Sequence, residues 1–144
     1  MHVETATAAR FATKIAVLLR DDLLTWQRLN VTAFLVSGIG TAVPEVIGQP
    51  YGDADGVEYL SMFRQPVLIF EGPGELLKAA HGRALGRGIP LSVFTGDLFA
   101  TSNDRDNRAA VRAVTTDKLD LVGMAVHGPR NTVDKVFKGA HMHP

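Results

Sequence analysis

The chain contains no cysteine, which excludes disulfides, thiolate nucleophiles, cysteine-ligated zinc and iron–sulfur sites together. It carries no net charge either: 15 basic and 15 acidic residues cancel, so no overall field gathers a polyanion such as nucleic acid. Its apolar runs are too short to span a bilayer, and the opening "MHVETATAARF" lacks a basic start followed by an apolar stretch and a cleavage site. A cytoplasmic protein with no membrane partner is the expectation. No internal repeat is visible. What is there, 144 residues that are 46% apolar and 21% charged, has the composition of a single globular domain.

The charge is unevenly spread. Residues 41–75 hold Arg64 alone against Glu45, Asp53, Asp55, Glu58, Glu71 and Glu75, and the stretch from 76 onward has a modest basic excess. Residues 1–12 read as a flexible N-terminal segment. Residues 41–56, "TAVPEVIGQPYGDADG", read as an exposed loop, because Pro44, Gly48, Pro50, Gly52 and Gly56 break both helical and strand periodicity.

The apolar run at 14–20, ended by Asp21 and Asp22, predicts a buried strand. Thr25 is a suitable N-cap for a helix over 26–39, whose stripe would be Trp26, Leu29, Ala33, Val36 and Ile39 or Gly40, widened by Phe34 and Leu35. A short edge strand over 57–62 and a central one over 66–71, "PVLIFE", are expected as possible neighbours. A helix follows, with Pro73 near its start, Leu76, Leu77, Ala80, Ala84 and Leu85 on its apolar face, and Gly88 closing it. Then come a strand at 89–95, a short helix capped by Asn103 or Asp104, a strand at 119–127, and a last helix near 129–138 with Gly139 as C-cap. This alternation implies a layered α/β domain with helices on both faces of the sheet.

In such sheets ligands gather beyond the carboxyl ends of strands, where helix N-termini supply N–H groups. If the strands at 14–20 and 89–95 are parallel neighbours, Arg20, Asp21 and Asp22 reach the same edge as Asp97, Thr101, Asn103 and Asp104. A carboxylate there could orient water while a hydroxyl holds the developing oxyanion. The plainer alternative is that these residues end strands, cap helices and pair as structural ions. Asp97, directly after a strand and Gly96, is the hardest to explain that way. No metal site is read: His141 and His143 in "HMH" have no third ligand nearby, and His81 and His127 suit a surface or a satisfied interior position. No serine has a nucleophile-elbow setting, and "GRALGRG" lies within a helix, not in a phosphate loop. Arg105, Arg108 and Arg112 fall on one helical stripe, but Asp104 and Asp106 interleave with them and make a solvated face the simpler reading.

"KIAVLLRDDL" resembles the first strand of the type II peptidyl-tRNA hydrolases, "ELLKAAHGRALGRGIPLSVFTGD" their helix and following strand, and "LDLVGMAVHGPRNTVDKVFKG" their closing strand, Gly-Pro turn and final helix. "LFATSNDRDNRAAVRAV", "DLVGMAVHGPRNTVDKVFKG" and the final "HP" are similar to a bacterial relative of that fold, the domain-of-unknown-function family numbered two thousand. The resemblance implies a three-layer α/β/α sandwich around a mixed central sheet, and a homodimer by analogy. It implies Asp97 and Thr101 as the catalytic pair, with Arg20 and Asp22 as the charged pair ending the first strand. The hydrolases follow that strand with a glycine- and lysine-rich segment whose lysine belongs to the active site. Here the segment is "LLTWQRLN", and Arg28 does not reproduce a lysine point charge.

Trp26, Gln27 and Asn30 suggest a pocket with an aromatic wall and amide hydrogen bonds, with Trp26 as core and the amides in solvent as the alternative; Trp26, Asn30 and Asn107 complete the expected site as ligand-binding residues. Three functions stay open: metal- and cofactor-independent hydrolysis of an ester or amide of a small molecule or aminoacyl conjugate; non-catalytic binding of a small polar ligand under a lid formed by 41–56; and peptidyl-tRNA hydrolysis, which the missing basic field disfavours.

Overall fold

The apolar run that begins the fold buries both of its faces. In the computed structural model, which describes residues 11–143, Ile15, Ala16, Val17, Leu18 and Leu19 are each at most 3% exposed. They lie on β1 (Thr13–Arg20). Ile15, Val17 and Leu19 pack into one cluster with Val31, Leu35 and Ile39, while Ala16 and Leu18 pack into another with Leu77, Ala80, Ala84 and Val133. A strand covered on both sides cannot alternate apolar with polar residues, which is why "IAVLL" is continuous.

Six further strands follow: β2 (Tyr51–Gly52), β3 (Glu58–Tyr59), β4 (Val67–Gly72), β5 (Leu91–Thr95), β6 (Leu121–Pro129) and β7 (His141–Met142). The α-helices are α1 (Thr25–Ala42), α2 (Gly74–Arg87), α3 (Asp104–Arg112) and α4 (Arg130–Val136). The main sheet runs β5-β6-β1-β4-β7 and is mixed: β1 is parallel to β4, whereas β6 is antiparallel to both β1 and β5, and β7 to β4. The domain is therefore mixed α/β around a mixed central sheet, with four α-helices among the described residues. The expected flexible segment over 1–12 falls outside these residues apart from Phe11 and Ala12, whose carbonyls accept from Arg130. Pro144 of the terminal "HP" lies outside them too.

Several local expectations need correction. The strands at the two ends of the supposed neighbouring pair, β1 and β5, are parallel, but β6 lies between them. The segment at 57–62 does not flank β4; Glu58–Tyr59 pairs with Tyr51–Gly52 in a separate two-stranded ribbon. Within 41–56, α1 runs on to Ala42 and a 3-10 turn at Pro44–Val46 follows, with Val43 and Val46 buried; residues 49–56 are exposed. Thr25 is the first helical residue, not the cap; the Leu24 N–H instead donates to the Gln27 side chain at 2.9 Å. The buried stripe of α1 is Val31, Leu35 and Ile39, whereas Trp26, Leu29, Ala33 and Phe34 are exposed. Gly123 explains that rotation: a methyl group there would stand 2.6 Å from Val31 and 3.0 Å from Leu35, so this gap in β6 is what seats the helix. Helix α4 has no side-chain cap, and the Asn131 and Asp134 spacing that suggests a capping box does not form one, since Asp134 pairs with Lys14.

Candidate functional site

At the sheet edge where β1, β4 and β5 end and β6 begins, the charges that follow β1 are held by one another. The Arg20 guanidinium donates to Asp22 at 2.7 Å and to Asp120 at 2.9 Å. The hydrogen bond from Arg20 holds the Asp22 carboxyl below its ordinary range, and Asp22 in turn raises Arg20. Arg28, in the first turns of α1, reaches back to the same edge. It pairs with Glu71, which is 5% exposed, and donates to the carbonyls of Leu23 at 3.0 Å and Asp21 at 2.9 Å. One guanidinium thus satisfies a buried carboxylate and ties the link between β1 and α1 onto β4.

Beyond β5 the chain makes a 3-10 turn over Gly96–Ala100. Gly96 lies against the Asp120 carboxylate, which would have to shift to admit a side chain there, and its N–H donates to the Asp120 carbonyl at 2.9 Å. Asp97 follows on the exposed side of this turn. Helix α3 starts immediately afterwards, with the Asn103 side chain accepting from the Asp106 N–H at 2.9 Å, so the expected cap is present.

Between α1, the 3-10 turn and the start of α3 lies a cleft of about 490 Å³. Trp26, Asn30 and Phe34 line one wall at i, i+4 and i+8 of α1, one face of a helix. The facing wall is Phe94, Leu98, Phe99, Thr101 and Asn107, with Ser102, Asn103 and Asp104 at the rim. The aromatic rings form a chain. Trp26 meets Phe99 edge to face at 5.7 Å, Phe99 meets Phe94 at 5.2 Å, and Phe94 meets Phe34 at 5.9 Å. The Thr101 hydroxyl lies 3.0 Å from the Leu98 carbonyl and bonds the Asn107 side-chain oxygen. A second cavity of about 520 Å³ shares Phe34, Phe94, Leu98, Asp104 and Asn107 with the first and extends the groove along β5 toward Arg108 and Arg112.

The structure therefore brings together six of the residues singled out in the sequence: Trp26, Asn30, Thr101 and Asn107 in the walls, with Asn103 and Asp104 at the rim. Arg20, Asp22 and Asp97 stand at the neighbouring sheet edge and do not line the cleft. Sequence reasoning missed Phe34, assigned to the core but 53% exposed, along with Phe94, Leu98, Phe99 and Asp120. The i, i+4, i+8 spacing of Trp26, Asn30 and Phe34 was the available signal for the first wall; nothing local in the sequence announces that Phe99 turns back to meet it. Among the described residues no group of three potential ligands could hold a metal ion, and no helix is long and apolar enough to cross a membrane.

Residues 13–144 match the family described as protein of unknown function, DUF2000. The chain belongs to this family. A solved structure of a protein of unknown function from Agrobacterium tumefaciens is 44% identical, covers 94% of this chain and 100% of its own, and superposes with a TM-score of 0.90. No curated protein matches the chain.

Proposed function

We propose that this DUF2000 member is a small-molecule-binding protein, built as a three-layer α/β/α sandwich of the type II peptidyl-tRNA hydrolase kind, whose ligand occupies the cleft between α1 and α3. The layering is supported by α1 covering the Ile15, Val17 and Leu19 face of β1 while α2 and α4 cover the Ala16 and Leu18 face. The observation that carries the function is the convergence of Trp26, Asn30, Thr101 and Asn107 on one cavity of about 490 Å³. A mainly apolar, aromatic lining with a few amides and hydroxyls is the composition of a ligand site. Binding is preferred to turnover because the lining carries no histidine, lysine or cysteine, and its single carboxylate, Asp104, is paired with Arg108.

Hydrolysis is the second reading, and the position of the 3-10 turn favours it. Gly96 rests on Asp120, so Asp97 comes to the edge where Arg20 gathers Asp22 and Asp120. There Asp97 would orient water, and Thr101, in the adjoining cleft, would hold the carbonyl by turning its hydroxyl away from Asn107. Peptidyl-tRNA is the least favoured substrate, since zero net charge supplies no steering field. A cytoplasmic homodimer belongs to the same proposal, by analogy with the hydrolases.

The test is thermal stabilisation by a small-molecule library, read in parallel with hydrolysis of N-acylated aminoacyl esters. Ligands that raise the melting temperature of the wild type but not of Asn30→Leu, with no turnover, support a binder. Turnover abolished by Asp97→Asn would replace that reading with the hydrolase.

A further inference from the structure

Three large apolar side chains stay in water on α1, and two of them, both aromatic, stand on either side of an amide. Trp26 is 56% exposed and Phe34 53% exposed, and Asn30 lies midway between them on the same helix face. Each ring has an edge-to-face partner in the facing wall, Phe99 for Trp26 and Phe94 for Phe34. Exposed aromatic rings beside a concave surface mark a contact site, and a ring face packs best against another flat group.

The polar groups specify the edge of that object. Asn30 has no side-chain partner among the described residues, so neither its donor nor its acceptor is taken up by them. Asn107 spends its side-chain oxygen on Thr101 and keeps its amide N–H groups available. The cleft offers no unpaired charge, since Asp104 is bridged by Arg108. An ion placed here would lose hydration without a counter-charge.

Resting on the reading of the cleft as a ligand site, we infer that its ligand is a neutral planar ring whose edge carries an adjacent hydrogen-bond donor and acceptor. The ring lies against Trp26 and Phe34, and its edge pairs with Asn30 and Asn107. A nucleobase and an aromatic primary carboxamide share this chemistry. A charged extension of either would run along the groove toward Arg112, which stands at the far end of the adjoining cavity.

Trp26 is the only tryptophan in the chain, so its fluorescence reports the site directly. The wild-type protein is titrated with adenosine, uridine, nicotinamide, cyclohexanecarboxamide and toluene. Saturable quenching by a nucleoside or by nicotinamide, at least tenfold tighter than by cyclohexanecarboxamide or toluene, is the expected result; the nucleoside and nicotinamide arms tell the two sources apart. Calorimetry on Asn30→Leu and Trp26→Leu, each checked for an unchanged circular dichroism spectrum, should show at least a tenfold loss for the planar probe. Equal binding of cyclohexanecarboxamide and nicotinamide would overturn the planar assignment while leaving a ligand site. Equal binding of toluene and nicotinamide would overturn the polar edge. Absence of binding by all planar probes would overturn the inference outright. The broader reading falls only if the aliphatic probe and the library fail as well.

Discussion

Arg28 commits its guanidinium to Glu71 and to two backbone carbonyls. Removing it leaves Glu71 buried without a counter-charge, so Arg28→Met should cost about 3 kcal/mol in urea unfolding at neutral pH. A change near zero would mean that Glu71 finds water or protonates. His81 is 7% exposed in α2, and burial pushes its pKa below the usual 6.5. A histidine depressed in the folded state takes up protons more readily once unfolded, so its contribution is complete above pH 6.5 and is lost as the pH falls toward the lowered value. The melting temperature of the wild type should therefore fall between neutrality and pH 5 more steeply than that of His81→Gln; parallel curves would remove His81 as the cause. Neither role was legible in the sequence. Arg28 and Glu71 are 43 positions apart, and a histidine inside a helical stripe looks the same whether it faces water or the core.

At the scale of elements, the four α-helices and the strands β1, β4, β5 and β6 were legible, the strands as apolar runs, whereas the two-residue strands β2 and β7 were not. The face of α1 was not legible. Its sequence is apolar nearly all round, so periodicity could not decide between the Trp26 stripe and the Val31 stripe. The decision belongs to β6, where Gly123 leaves the space that Val31 and Leu35 fill. Gly123→Ala should push the helix off the sheet and destabilise the domain by about 1–3 kcal/mol in denaturant titration. It should also weaken binding in the cleft, since Trp26, Asn30 and Phe34 ride on the same helix. An unchanged midpoint would show that α1 is seated by other contacts. Helix α3 has no buried residue, and its hold on the fold is the Asn103 cap, the 3-10 turn beside it and the bond between Thr101 and Asn107. The cap was readable because it is local; the bond was not, because it depends on how the turn folds.

Over the whole molecule, the topology separates two polar groupings that the sequence reading had merged. With β6 inserted between β1 and β5, the charges at Arg20, Asp22 and Asp120 form one cluster, and the aromatic cleft opens beside it between α1 and α3. Order of strands is a long-range property, and no residue spacing within β1 or β5 encodes which strand comes between them. The proposed ligand site is the cleft. Its most direct test is nitrogen-15 NMR of the full chain during titration with a set of small heterocycles and amides, following the Trp26 indole, the Asn30 and Asn107 amides and the backbone signal of Thr101. Shifts concentrated on these groups, with Arg20, Asp22 and Asp97 unmoved, are the predicted result. Shifts concentrated on Arg20, Asp22 and Asp97 while the cleft signals stay still would contradict it and transfer the site to the charged edge.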